Sequence, residues 1–165
     1  MNADGPAGGV AVPRPVARSV PQSRPRSLPR YEAGMDFGAV LRETRGGREL
    51  PPPPAFAEPA ADLAERARRA LYEVADPEFP ISIVDLGLVR GIEGDEEAGA
   101  VTVHLTFTAT ACPCMDFIQW DVRERLLEMD GIRQVEIVTG WDPPWTTAAI
   151  SARGRKLLRS VGVVT

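Results

Sequence analysis

Two cysteines and one histidine are all that this chain of 165 residues offers as soft metal ligands. A structural zinc site or an iron–sulfur cluster usually takes four protein ligands. One copy cannot supply four thiolates, so a resident, fully enclosed centre of that kind is excluded. Acyl-transfer chemistry is disfavoured as well, with a single histidine and no Gly-x-Ser-x-Gly stretch. Long apolar runs are missing too. No stretch of eighteen apolar residues occurs, which gives no candidate transmembrane helix. The opening MNADGPAGGVAVPRPVARSV has no apolar core of the kind a secretory signal carries, which leads to the expectation of a cytoplasmic protein. There is no basic excess: 19 Lys and Arg stand against 23 Asp and Glu, a net charge of −4, so no global field recruits nucleic acid or an anionic membrane.

Proline and charge are present in quantity but unevenly spread. Residues 1–60 hold 11 of the 16 prolines, including Pro51 to Pro54, and carry a net charge of +2. The remaining residues carry −6. A Pro-, Gly- and Ala-rich segment with few large apolar side chains cannot offset its chain entropy by burial. Residues 1–60 are therefore expected to be a disordered tail, with Pro51–Pro54 a stiff spacer. Within it, YEAGMDFGAVLRE (31–43) reads as a solvated stretch first and a docking peptide second. Residues 61–165 are enough for one small domain.

Periodicity orders that domain. Leu63, Ala67, Ala70, Leu71 and Val74 fall on one helical stripe, predicting a helix over 60–75 that ends at the prolines of DPEFP. GLVRGIE (87–93) predicts a short strand, and the polar EGDEEAGA (93–100) a turn. AVTVHLTFTAT (100–110) alternates, with Val101, Val103, Leu105, Phe107 and Ala109 facing one way and the threonines and His104 the other. Residues 115–129 predict a helix with Ile118, Val122, Leu126 and Met129 inward, closed by Asp130-Gly131. Residues 132–140 predict a third strand, parallel to the second because a helix separates them. Residues 146–161 predict a last helix. The α-β-β-α-β-α order implies an α+β sandwich, one small mixed three-stranded sheet with helices packed on it.

Both cysteines, Cys112 and Cys114, lie in ATACPCMDFI at the junction of the second strand and the second helix. Pro113 suits a first helical position, which would make Cys112 the N-cap and place Cys114 in the first turn. A helix N-terminus favours thiolate over thiol. In a reducing compartment such a pair is metal-binding or reactive, or simply apolar filling, rather than a strained Cys-Pro-Cys disulfide. A thiol redox enzyme is the weaker alternative, since the spacing is not Cys-x-x-Cys. His104 shares the threonine face and reads as a surface or inter-strand residue.

Taken in order, DPEFPISIVDLGLV (76–89), TATACP (108–113) and VEIVTGWDPPWTTAAIS (135–151) resemble the small iron–sulfur assembly domains of the SufT and PaaD type, also called MIP-eighteen-like. The resemblance spans about 63–160. It implies a maturation factor, not an enzyme, that handles a transient iron–sulfur cluster or iron together with assembly machinery or a client metalloenzyme. The cluster is cargo completed by a partner or by a second copy in a homodimer. The implied functional thiolate is Cys112, with Cys114, additional to the usual motif, a candidate second ligand. Ala111 stands where the family has glycine. Asp76 and Glu78 match its acidic loop, Asp85 and Gly87 its Asp-Leu-Gly turn, and Trp141, Asp142 and Trp145 its Trp-Asp-Pro-x-Trp loop. From the residues alone, Asp76 reads as a turn cap, Glu78 as solvated and Asp85 as an Asx-type turn former. Trp141 and Trp145 read equally as core closure or partner surface. PaaD-type relatives carry a cysteine-rich C-terminal extension, and a chain ending at Thr165 is expected to fall outside that subgroup. The alternative function is a metal-free scaffold or accessory protein for assembly of a multicomponent oxygenase.

Overall fold

The computed structural model describes residues 50–109 and 114–164. The first regular element among the described residues is helix α1, Leu63–Ala70, which tightens into a 3₁₀ turn at Leu71–Glu73. Eight residues cannot hold a helix in isolation. Asp62 caps it by accepting from the Glu65 N–H at 2.8 Å, and burial of Leu63, Ala67, Ala70 and Leu71 does the rest. This is the predicted stripe, on a helix that begins three residues later than predicted because the cap is Asp62.

Strand β1, Val89–Asp95, pairs antiparallel with β2, Ala100–Leu105, and β2 pairs parallel with β3, Gln134–Thr139, giving the sheet order β1-β2-β3. Both pairings were predicted. The predicted strand at 87–93 starts late because Gly87 and Leu88 still belong to a turn, their N–H groups donating to Val84 and Ile83. The ladder between β1 and β2 is irregular at Val89–Gly91, where β1 accommodates one extra residue. Helix α2, Met115–Leu127, connects β2 to β3 and buries Ile118, Val122 and Leu126 at four-residue spacing. Met129 packs at the edge of the core. Gly131, at φ +86°, turns the chain toward β3.

Two expectations need correction. The alternation read over 100–110 does not run to its end. β2 stops at Leu105, Thr106 is buried, and Ala109 is exposed. After Leu105 the hydrogen bonds leave the ladder: Thr106 N–H donates to Leu88, and the Leu105 carbonyl accepts from Gly140. The last helix is also not continuous. A 3₁₀ turn at Thr147–Ala149 is followed by extended Ile150, and α3 begins at Ala152 and runs to Ser160. Ser151 breaks the run by acting as N-cap, its Oγ accepting from the Gly154 N–H at 2.8 Å.

The inner faces of α1 and α2 and one face of the sheet enclose a core that includes Leu71, Ile83, Leu88, Val103, Leu105 and Ile137. Each such side chain contributes about 1.5–3 kcal/mol by leaving water. The α+β architecture is thus the one read from the sequence. Among the described residues, no helix is long and apolar enough to cross a membrane. Residues 50–62 hold no helix or strand, but they are not isolated. The Phe56 ring lies 5.9 Å from that of Tyr72 and under the Arg69 guanidinium, and the Pro52 carbonyl accepts from Arg153 at 2.5 Å.

Candidate functional site

Because β2 and β3 are parallel, their C-terminal ends lie together, and the antiparallel β1 begins there. The connections that meet at this end carry the predicted site residues that lie among the described ones: Asp76, Glu78, Asp85, Gly87, Cys114, Trp141, Asp142 and Trp145. The acidic loop and the turn that follows it are one unit. Asp76 N–H donates to Ile81 at 2.9 Å, Ile83 N–H donates to Val74 at 2.9 Å, and Ala75 bridges Ser82. Asp76 is buried, and its Oδ1 accepts from the N–H groups of Glu78 at 2.9 Å and Phe79 at 3.0 Å. This is the turn-capping role its residue type suggests. Glu78 points into solvent from the same loop.

Asp85 is not the simple Asx turn expected. Its side chain is 1% exposed, and its two oxygens accept from three side chains. Oδ1 takes the Ser151 hydroxyl at 2.6 Å. Oδ2 takes the Ser82 hydroxyl at 3.0 Å and the Arg153 guanidinium. Ser82 Oγ in turn accepts from the Asp85 N–H. The Asp85 carbonyl also accepts from Ser151 N–H at 2.9 Å. A carboxylate removed from water is tolerable only when paired and hydrogen-bonded in this way. The knot ties the Asp-Leu-Gly turn to the start of α3. Gly87 lies at φ +76°, and a Cβ there would come 2.3 Å from the Ala149 carbonyl oxygen. Only glycine satisfies both the backbone angle and that approach.

The Trp-Asp-Pro-Pro-Trp loop spans the same end from β3 to β1. Trp141 packs its ring 6.0 Å from Phe107, just beyond β2. The Pro143 carbonyl accepts from Arg90 on β1 at 3.1 Å, and Trp145 Nε1 donates to the Leu86 carbonyl at 2.9 Å. Both tryptophans are half-buried against the core, and Asp142 is exposed. One side of each ring packs on the core and the other stays accessible to solvent.

Cys112 lies outside the described residues. Cys114 is half-buried and forms the N-cap of α2, with αR backbone angles (φ −85°, ψ −2°) and no side-chain capping bond. The predicted cap was Cys112, and Cys114 was to lie inside the first turn. The helix instead begins at Met115, one residue after Cys114, so Pro113 is not its first residue. The helix N-terminus favours an anion at this position, but the first turn also holds Asp116, whose charge opposes a neighbouring thiolate. Among the described residues, no three His, Cys, Asp or Glu side chains are grouped to hold a metal ion. His104 lies on the sheet face predicted for it, with Nε2 3.1 Å from Glu93 across β1 and β2.

Tyr72, beside Arg153 at 5.8 Å, has its phenol pKa raised, chiefly by burial and then by the Asp85 charge. A groove of about 520 Å³ runs between α1 and β1, lined by Asp62, Glu65, Arg68 and Ile92 among others. None of the predicted site residues lines it. Sequence reasoning missed Ser82, Ser151 and Arg153. Ser82 stands three residues before Asp85 and could have been read locally. Ser151 and Arg153 lie 66 and 68 residues beyond Asp85, and nothing local signals their contact.

Residues 64–138 match the family model described as iron–sulfur cluster assembly protein. A Bacillus subtilis (strain 168) protein named Fe-S protein maturation auxiliary factor YitW is 35% identical over 89 residues, covering 54% of this chain and 86% of that protein. A Staphylococcus aureus (strain USA300) protein named Fe-S protein maturation auxiliary factor SufT is 41% identical over 78 residues, covering 47% of this chain and 88% of that protein. Among solved structures, a Bacillus anthracis domain of unknown function, DUF59, superposes with a TM-score of 0.56 at 29% identity, covering 58% of this chain and 91% of that one. With relatives of this identity matched over most of their length, the chain belongs to the iron–sulfur cluster assembly protein family.

Proposed function

We propose that this protein is a maturation factor for iron–sulfur proteins that carries iron or a cluster transiently on the Cys112 thiolate while holding a client. The observation that carries this reading is the match over 64–138 to iron–sulfur cluster assembly proteins, in a chain whose cysteines both lie at one strand-to-helix junction. The cluster is cargo. With two cysteines and a histidine already paired to Glu93, one copy supplies at most part of a ligand set. The rest comes from the partner that donates or receives the cluster, or from a second copy in a homodimer. Incomplete ligation suits a carrier, since a thiolate that holds few bonds is readily exchanged.

In this reading Cys112 is the exchangeable ligand. Cys114, at the α2 N-cap, offers a second thiol two positions away. The Asp76–Glu78 loop contributes one ordered and one solvated carboxylate beside the site, and Asp85 acts through the turn rather than on the cargo. Trp141 and Trp145 hold the loop whose outer edge, with exposed Asp142, faces a client. No acid–base or nucleophilic step is asked of these residues, so the protein is not an enzyme. It works where its client is made, in the cytoplasm.

The test is transfer. Chain loaded anaerobically with iron and sulfide is mixed with an apo-ferredoxin, and cluster arrival is followed by circular dichroism in the visible. Transfer by the wild type and none by Cys112→Ser supports a carrier. Client maturation that persists in the Cys112→Ser variant would replace the carrier with the metal-free scaffold.

A further inference from the structure

The cations of this domain divide into two groups. Arg66, Arg69 and Arg125 pair with Glu96, Glu65 and Glu73. Arg90, Arg123 and Arg133 donate to backbone carbonyls, and Arg153 is fixed in the Asp85 knot. The Arg68 side chain on α1 makes no hydrogen bond or ion pair among the described residues, and neither do the side chains of Arg155, Lys156 and Arg159, which are all on α3. Helical spacing puts them on one stripe around exposed Ala152, opposite the buried Gly154 and Leu158. Residues 143–165 contain these three cations and Arg153 but no Asp or Glu, in a domain whose net charge from 61 onward is −6.

Nothing about α3 itself favours this arrangement. Cations in a first turn oppose the helix dipole, and Arg153 and Arg155 are both there. Arg155 and Arg159 are like charges at i and i+4. Gly154 weakens the helix further. It is needed because a Cβ there would come 2.6 Å from the Asp85 carbonyl, so the helix can lie flat on the site turn. The stripe therefore costs local stability and makes no side-chain hydrogen bond or ion pair in return, which marks a functional surface rather than a structural one.

We infer that the outer face of α3 is a docking surface for an acidic patch on a partner protein, seated beside the Asp85 turn. Charge complementarity selects the occupant. An extended polyanion such as nucleic acid, or an anionic membrane, would face the net −6 of the whole domain, whereas a compact acidic protein patch meets only the stripe. The inference deepens the partner part of the function proposed above. It does not depend on Cys112, because the stripe and the thiolate are separate chemistry.

The test measures binding of a fluorescent oligoglutamate peptide to the full-length chain, beside duplex DNA and phosphatidylserine vesicles. The triple variant Arg155→Glu, Lys156→Glu, Arg159→Glu should bind the peptide about tenfold more weakly at 0.1 M salt. Wild-type binding should weaken further as salt shortens the range of the field. Arg68→Glu, which removes an uncommitted cation on α1, should change nothing. A melting temperature no lower than that of the wild type confirms that the triple variant folds. Cys112→Ser should bind as the wild type does, so loss of carrier function and loss of docking are read separately. Equal peptide binding by the triple variant, or an equal loss in Arg68→Glu, overturns the inference. DNA or vesicles bound more tightly than the peptide, and released by the reversal, would also overturn it. Self-association that disappears on reversal would assign the surface to a second copy instead.

Discussion

Replacing Asp85 with Asn changes one atom for another of the same size and tests the knot without opening a cavity. Asp85 Oδ1 accepts one hydroxyl, and Oδ2 accepts a hydroxyl and a guanidinium, in a side chain 1% exposed. Asn keeps one acceptor oxygen and replaces the other with an NH2 group that carries two N–H donors. If its amide nitrogen takes the Oδ2 position, it faces the Arg153 donor directly. If it takes the Oδ1 position, the Ser151 hydroxyl must turn and find another acceptor, and the guanidinium loses its counter-charge. Either orientation leaves a buried donor unmatched, at about 1–3 kcal/mol, and removes a charge-assisted bond. Breaking a fully buried ion pair costs about 3–5 kcal/mol, but Arg153 is 28% exposed and water recovers part of that. The expected loss is about 2–4 kcal/mol. With an m-value of about 1.5 kcal/mol/M, the urea midpoint falls by roughly 1–3 M. A double-mutant cycle with Arg153→Leu should return a coupling of about 0.5–3 kcal/mol, because the second change removes a partner already lost. A single-variant loss below about 0.5 kcal/mol, with additive effects in the cycle, would refute the knot as a determinant of stability.

Three further outcomes follow from the same end of the molecule. Gly87→Ala should destabilise by about 2–4 kcal/mol, from a positive φ and a Cβ driven into the Ala149 carbonyl, read as a fall in melting temperature on the order of 10 °C or more. Trp145→Phe should cost about 1–3 kcal/mol by leaving the Leu86 carbonyl without its donor, measured by urea unfolding. The Tyr72 phenol should ionise above its ordinary value of 10.0, seen by ultraviolet titration against Tyr72→Phe. A folded pKa above the unfolded one means its contribution is intact below pH 10 and is lost as pH rises through the folded value, so alkaline stability should fall more steeply in the wild type than in Tyr72→Phe.

Much of this was legible because short-range periodicity and local chemistry agree. The α1 stripe, the antiparallel and parallel pairings, and the α2 face of Ile118, Val122 and Leu126 follow from spacing alone. What was not legible depends on contacts distant in sequence. β2 looked longer than it is because Thr106, Phe107 and Thr108 keep the alternating pattern, while Leu88 and Gly140 take the hydrogen bonds elsewhere. The single last helix was broken by Ser151, whose value as a cap depends on Asp85 being beside it. Asp85 was located from its motif, but its partners were not. Asp76 and Glu78 were separated into turn cap and solvated carboxylate by residue type and context, and the geometry agrees. The free cationic stripe of α3 was visible in the sequence as a run of Arg and Lys, but its meaning required knowing that, among the described residues, every other arginine except Arg68 is occupied.

The most direct measurement is anaerobic reconstitution of the full chain with iron and sulfide, in wild type, Cys112→Ser and Cys114→Ser, followed by visible absorption and iron and sulfide analysis after desalting. A transient carrier working through Cys112 predicts cluster absorption in the wild type, its loss in Cys112→Ser, and no more than partial loss in Cys114→Ser. Equal iron and sulfide retained by wild type and Cys112→Ser, or none retained by either, would contradict it.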